Sequence, residues 1–393
     1  MAKLIGNNPS QIPTNGDLGS MAFEDRTNYI TKGASVHQPF RNLIINGDMS
    51  IAQRGTSTTG VTISGYKTVD RFNFGIDNAG TWTITQDTDV PTGQGFAKST
   101  KLDCTTANGS LSADSLLLFQ QKLEGQNLQY LKKGTSSAES LTLSFWVKSN
   151  KTGTYICQLR DIDNSRSISQ SYTILSASTW EKKILTFVGD TTGAFDNDNG
   201  DSLRLLFFLV AGTTYTSGTL QTSWGTYTNA NRAVGQVNLA DSTANEWFIT
   251  GVQLEAGTTA SDFEFLPVDV NLQRCQRYYQ ITQEADGSSD IICSGAMYSA
   301  TEFYGTLYLG ATTMRATPSV SADTGTNAYN IVGNGSSADA SSLTLNNIGI
   351  NSSIPHCRLE AVGSNTNVGQ GNGAWIRFGG SSSNQKIIAE AEL

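Results

Sequence analysis

From Arg41 onward the chain is a succession of short segments in which apolar and polar residues alternate, each closed off by Gly, Asn, Asp or Ser. The clearest is LTLSFWVK at 141–148. An extended backbone points successive side chains to opposite faces, so this two-residue period describes strands with one face in a core. TWTIT around Trp82 follows the same rule, and further strands are expected at 154–159, 180–187, 203–210 and 247–254. Turn residues separate them at the intervals of an antiparallel sandwich or jelly roll. Segment 203–208, LRLLFF, is almost continuously apolar, which predicts an inner strand covered on both faces. NLIING at 42–47 predicts a strand entering a turn.

VDVNLQRCQRYYQ at 268–280 is one of few stretches with helical character: Leu272, Cys275 and Tyr279 fall at i, i+3 and i+7 behind Pro267. It is expected to connect two β units. A second β-rich unit follows at 281–393 and ends in KIIAEAEL, an apolar segment expected to be paired. Residues 1–40 show no apolar period, and their prolines and glycines favour extended or turn geometry, with one short helical turn around 17–23. Such a segment orders against a partner. No repeat of 20–50 residues is present, which argues against a solenoid. The expected organisation is all-β: an extended N-terminal segment (1–40), a jelly-roll β-sandwich (41–267), a connecting helix (268–280) and a C-terminal β-sandwich (281–393).

Charged residues are 15% of the chain, against roughly 25% in ordinary soluble domains. Gly, Ser, Thr and Asn take their place. The 26 basic and 34 acidic residues leave a net charge of −8, which argues against nucleic acid as a partner. The longest apolar runs, 116–119 and 205–211, fall far short of the ~20 residues of a membrane span. Neither membrane insertion nor a secretory signal is expected from the N-terminal sequence. An export-type surface without an export signal suits a virion protein, made in a cytoplasm and used outside cells. The five cysteines (104, 157, 275, 293 and 357) lack C-x-x-C spacing and read as small buried hydrophobes. With two histidines, little acid–base or metal chemistry is available near neutral pH, and no cofactor is expected.

NLIINGDMSIAQRG (42–55) followed by YKTVDRFNF (66–74) resembles the opening of the jelly-roll module of bacteriophage tail fibres. FWVKS (145–149), ITGVQLE (249–255) and FEF (263–265) resemble its later strands, which are also similar to the carbohydrate-binding jelly rolls of glycoside hydrolases. RCQRYY (274–279) resembles the helix leading into the distal domain of such fibres. PTNGDLGSMA (13–22) resembles the virion-attachment segment of fibres from marine phages. The resemblance covers 5–280, and the rest in general character. It implies a homotrimer docked on a phage tail or adaptor protein through residues 1–40, with Pro13, Asp17, Leu18, Met21 and Phe23 as attachment residues. It also implies a C-terminal tip that recognises a host-surface glycan or an outer-membrane receptor.

Sugars present C–H faces that stack on aromatic rings, while polar neighbours bond their hydroxyls. Trp224 and Tyr227 lie in the polar segment 212–231, so they are candidate glycan platforms; a Trp224 folded back to plug the sandwich end is the alternative. In the tip, Tyr298, Tyr304, Tyr329 and Trp375 stand among Asn-, Ser- and Gly-rich stretches, a composition that suits adaptable recognition. Trp82, Trp146, Trp180 and Trp247 sit in or at the ends of strands and read as core. Asp196, Asp198 and Asp201 surround Gly200 in an acidic loop that is chemically able to hold calcium, or is a turn between strands. No serine-hydrolase elbow, HExxH or P-loop is present, and 34 acids make a chance carboxylate pair uninformative. The expectation is a non-enzymatic tail fibre that attaches phage to host. The alternatives are a capsid-attached decoration fibre, a depolymerase tailspike, or a lectin-like module of a secreted polysaccharidase.

Overall fold

The computed structural model describes residues 40–284, 290–299, 301–308, 312–323, 328–334, 336–346, 356–363, 368–379 and 385–393. The chain divides into two compact units, 1–41 and 42–393. Of the first, Phe40 and Arg41 are described, and Phe40 is exposed with a φ of 63°. The attachment residues Pro13, Asp17, Leu18, Met21 and Phe23, and the helical turn expected beside them, lie outside the described residues.

The second unit opens with a two-layer antiparallel sandwich, as the alternation predicts. Its strands are β1 (Ser57–Val61), β2 (Gly65–Tyr66), β3 (Asn73–Asp77), β4 (Thr81–Asp87), β5 (Ser99–Thr106), β6 (Leu116–Glu124) and β7 (Leu141–Ser149). β8 (Gly153–Asp161), β9 (Arg166–Ile174), β10 (Glu181–Phe187), β11 (Asp201–Ala211), β12 (Gly225–Thr226) and β13 (Glu246–Ala256) complete it. One sheet runs β1-β4-β5-β13-β7-β10, the other β12-β9-β8-β11-β6-β3-β2. Rings fill the space between them. Phe119 stacks on Phe72 at 4.6 Å and meets Trp247 edge-on at 5.8 Å, and Phe145 meets Phe207 and Tyr172 at 5.1 Å. Edge-on and offset pairs add to the burial of area.

β11 is covered on both faces, as its sequence predicts. Leu205, Phe207 and Leu209 face the inter-sheet core. On the other side, Leu206 and Phe208 join Leu118 and Ile156 under Ala233, with Tyr215 and Leu220 packed against them. The long segment after β11 therefore lies back over the seven-stranded sheet. It is held there by Ser169 N–H to the Gln221 carbonyl (2.7 Å), Ile156 N–H to Gln236 Oε1 (2.7 Å) and Arg232 Nε to Gln158 Oε1 (3.1 Å).

Segment 42–47 is not the expected strand. Only its two ends meet a strand by backbone bonds, Leu43 N–H to the Leu254 carbonyl and Val252 N–H to the Gly47 carbonyl (both 2.9 Å), and side chains bond the rest: Asn42 Oδ1 accepts from Ile44 and Leu254 N–H, and Gln121 bonds both N–H and C=O of Ile45. Asn46, at φ 61°, donates to the Ile51 and Asp70 carbonyls. Gly47 is required here, because a Cβ would lie 2.1 Å from the Val252 carbonyl oxygen.

The expected helix, α1 (Val268–Gln276), leads into the second β unit. Cys275 and Tyr278 bury themselves against Ile45 and Ile51. β14 (Tyr279–Glu284) begins at once, followed by β15 (Ile291–Met297), β16 (Glu302–Tyr308), β17 (Ser319–Ala322) and β18 (Tyr329–Gly333). β19 (Ser336–Asn346), β20 (His356–Gly363), β21 (Gly373–Phe378) and β22 (Lys386–Glu390) complete the chain. β22 is paired as expected, between β14 and β17, and the remaining six strands close into a barrel in the order β15-β16-β20-β19-β18-β21. The all-β expectation holds, while closure replaces the two-layer arrangement expected here and leaves these strands without free edges. Gly295 and Gly305 face one another across β15 and β16. A Cβ on either would come within 3.0 Å of the Phe303 ring, which fills the space they leave.

The end of the chain turns back onto the sandwich. Ala391 N–H bonds the Tyr278 carbonyl at 2.7 Å. Glu392 pairs with Arg71 and with Arg54 (3.2 Å), and the Leu393 carbonyl accepts from Lys122 and from the Tyr66 hydroxyl at 3.2 Å. Arg315 spans the same joint, bonding the carbonyls of Ala391 (2.9 Å) and Asn199 (2.7 Å). Glu124, fully buried, accepts a two-pronged bond from Arg277 (2.9 and 2.7 Å) and another from the Tyr278 hydroxyl. Burial would raise the Glu124 pKa, but these donors hold it below the ordinary value.

Candidate functional site

The strongest candidate surface is the outer face of the barrel. In β21 the burial alternates, with Ala374, Ile376 and Phe378 inside and Trp375 40% exposed. Trp375 lies opposite Ser294 of β15 and Val332 of β18, and Tyr304 of β16 lies opposite Ala296 of β15. Tyr298, 58% exposed at the end of β15, stacks on Tyr304 with centroids 4.6 Å apart. The Tyr298 N–H donates to the Glu302 carbonyl at 2.8 Å, so a tight hairpin fixes both rings. Small residues between the tryptophan and the tyrosine pair leave an open floor with rings at its two sides. Such a floor can stack flat, partly apolar ligands without enclosing them.

Tyr329 does not belong to that surface. Its ring is fully buried against Phe378, and its hydroxyl donates to the Asp323 carbonyl. It alternates in phase with Ile331 in β18, so it points into the barrel.

Trp224 is half-buried at one end of the sandwich, packed against the core, with Nε1 donating to the Val188 carbonyl at 2.7 Å. Its indole and the Phe195 ring lie 5.8 and 5.1 Å from Lys133 Nζ. That ammonium is buried and saturated, by Asp161 (2.6 Å), Asp190 (3.2 Å) and the carbonyls of Thr192 and Gly193. Burial would raise the Asp190 pKa, but Arg166 at 2.7 Å, the Thr192 N–H and Lys133 hold it down. Lys133, Phe195 and Trp224 line one shallow pocket, a polar-bottomed plug rather than an open platform.

Tyr227 lies over the seven-stranded sheet. The guanidinium of Arg160 covers its ring at 3.9 Å, and that of Arg232 approaches to 5.0 Å. Arg160 belongs to a row of cations, with Arg204 and Lys122, that the sequence hides, since the three are brought together only by strand register.

Of the four tryptophans read as core, Trp82 and Trp247 are fully buried, whereas Trp146 and Trp180 are half-buried. Trp180 donates to Asp89 Oδ1 at 2.9 Å. In the acidic loop, Asp198 Oδ1 accepts from Gly200 N–H (2.8 Å), Asp201 accepts from Arg204 Nε (2.6 Å), and Asp196 N–H donates to Asp163 (3.0 Å). Among the described residues no group of three or more His, Cys, Asp or Glu side chains is placed to hold a metal ion. Cys104, Cys157 and Cys275 are buried free thiols, and burial pushes Cys104 up to about 11. No described helix is long and apolar enough to cross a membrane.

Fold and surfaces together define an all-β protein in which a sandwich carries a barrel with exposed rings on its outer face. No protein-family model matches the sequence, and no curated protein matches it. Solved structures similar to it include the enzymatically active domain of tailspike protein 4 of bacteriophage CBA120, at 15% identity and TM-score 0.30 over 56% of this chain. This chain spans 22% of that one. The C-terminal family 22 carbohydrate-binding module of Clostridium thermocellum Xyn10B is similar at 11% identity and TM-score 0.27, over 54% of this chain and all of that one (100%). The family 11 carbohydrate-binding module of the Clostridium thermocellum cellulase Lic26A-Cel5E is similar at 13% identity and TM-score 0.25, over 51% and 96%.

Proposed function

We propose that this chain is a phage tail fibre that binds a host-surface glycan without cutting it. The carrying observation is the barrel face, where Trp375 and Tyr298, the latter stacked on half-buried Tyr304, stand exposed on either side of Ser294 and Ala296. The resemblance of segments 42–55, 66–74 and 274–279 to phage fibres supports the same reading. In it, residues 1–40 join the tail, the sandwich projects the barrel, and three copies act together. Multivalency then raises avidity through effective concentration, with no single tight site. A low-charge, hydroxyl-rich surface suits hydrated glycans and limits salt-dependent sticking to other matter.

The test is competition for adsorption. The purified full chain is expected to block phage adsorption to host cells, and the Trp375→Ala and Tyr298→Ala chains to block it poorly while melting normally. Equal competition by these variants removes the barrel from the role. Release of reducing ends from host polysaccharide by the purified chain would make it a depolymerase instead. Sedimentation of a monomer, or recovery on virions of a chain lacking residues 1–40, would remove the trimer or the anchor.

A further inference from the structure

Three cations stand side by side on the outer face of the seven-stranded sheet. Arg204 of β11 lies directly opposite Lys122 of β6 on one flank and Arg160 of β8 on the other. At a strand spacing of ~4.8 Å, the row spans about 10 Å. Like charges opposite one another destabilise a sheet, and in a chain with 34 acids against 26 bases the row does not follow from composition. Arg204 has Asp201 at 2.6 Å, and Lys122 donates to the Leu393 carbonyl. The Arg160 side chain has no ion pair or hydrogen bond among the described residues, and its Nε is buried without an acceptor. Its guanidinium is held in place by the Tyr227 ring at 3.9 Å. Burial pushes its pKa down, and Arg204 adds to that. Two more buried polar atoms of this face lack partners: Ser167 Oγ, directly opposite Arg160, and Gln120 Oε1, two residues from Lys122.

We propose that the Lys122–Arg204–Arg160 row binds an acidic polysaccharide through its sugar carboxylates, with the Arg160 fork taking one carboxylate by two parallel bonds. A planar guanidinium already oriented by an aromatic ring suits bidentate capture, because little freedom is lost on binding. A row, rather than a converging cluster, suits a polymer with charges repeated along its length. Nucleic acid fits less well, since a duplex packs one charge per ~1.7 Å and would meet the field of a chain of net charge −8. This site lies on the sandwich and stands apart from the barrel face.

The experiment is calorimetric titration of the purified full chain with an oligogalacturonate and with a neutral galacto-oligosaccharide, at low and high salt. The acidic probe is expected to bind more tightly, to weaken as salt rises, and to lose at least about tenfold in affinity with Arg160→Gln. Arg160→Lys is expected to recover part of that loss, which a purely structural role would not produce. Arg204→Gln provides a second variant, and melting curves check that both fold. Equal binding of the two probes, an unaltered Arg160→Gln titration, absence of oligogalacturonate binding, or equal competition by a short DNA duplex would each overturn the proposal. Failure of the barrel reading shows separately, in host adsorption by the Trp375→Ala chain.

Discussion

The guanidinium carbon of Arg71 lies 3.3 Å from the centroid of the Tyr278 ring, at the point where the sandwich, the connecting helix and the last residues of the chain meet. The same guanidinium pairs with Glu392 and donates to the Lys122 carbonyl at 2.8 Å. Removing one partner of a buried pair leaves the other charge unpaired in a poorly solvated place. Glu392→Gln is therefore expected to cost about 3–5 kcal/mol. A drop in denaturant midpoint shared by sandwich and barrel probes would show it; loss confined to the barrel would contradict a common joint.

Asp70 supplies a pH signature. Burial pushes its pKa up to about 6, against opposing hydrogen bonds from Gln53 and the charge of Arg54. An acid whose folded pKa is raised favours the folded state below its unfolded pKa, near 3.8, and that contribution is lost as pH rises through about 6. Two pKa units correspond to roughly 3 kcal/mol at most. Asp70→Asn is expected to flatten stability between pH 4 and about 7 relative to the parent. Parallel pH–stability curves for the two chains would refute this.

Position in β18 and β21 separates two aromatics of one barrel. Trp375→Ala is expected to change the melting temperature little, because the side chain is 40% exposed. Tyr329→Ala empties a fully buried site and is expected to cost about 3–5 kcal/mol. Thermal melts of both variants check the pair, and equal losses would contradict the assignment of inner and outer faces.

Gly295 has no room for a methyl group. Its Cβ would lie 2.0 Å from the Tyr304 carbonyl oxygen and 2.8 Å from the Phe303 ring. Gly295→Ala is expected to destabilise the barrel by about 1–3 kcal/mol, while Gly373→Ala, with open space at its Cβ, is expected to be tolerated. Hydrogen exchange in β15 and β16 reads the difference.

β7 and β13 were legible from their two-residue period, and β11 from its almost unbroken apolar run. β5 and β9 were not, since STKLDCTT and RSISQSYTI bury hydroxyl and thiol side chains beside aliphatic ones. Segment 42–47 looks like a strand by composition, yet between its two backbone bonds to β13 its partners are the side-chain amides of Asn42, Gln121 and Asn271. The joint was illegible for another reason: Arg71 and Glu392 are 321 residues apart in sequence, and no local pattern links them. Of the candidate surface, Trp375 follows from the alternation of β21. The inward turn of Tyr329 was readable from its phase with Ile331 but obscured by a polar neighbourhood. Closure of six strands into a barrel depends on pairing register, which periodicity does not carry.

β14 and β22 run side by side, with Glu284 opposite Lys386. The chain thus leaves for the barrel and comes back at one three-stranded sheet, to which it also returns midway as β17. A segment inserted in that manner is an interchangeable cassette. Its sequence can be traded for another without re-threading the scaffold beneath, so long as β17 and Arg315 keep their places in the mounting.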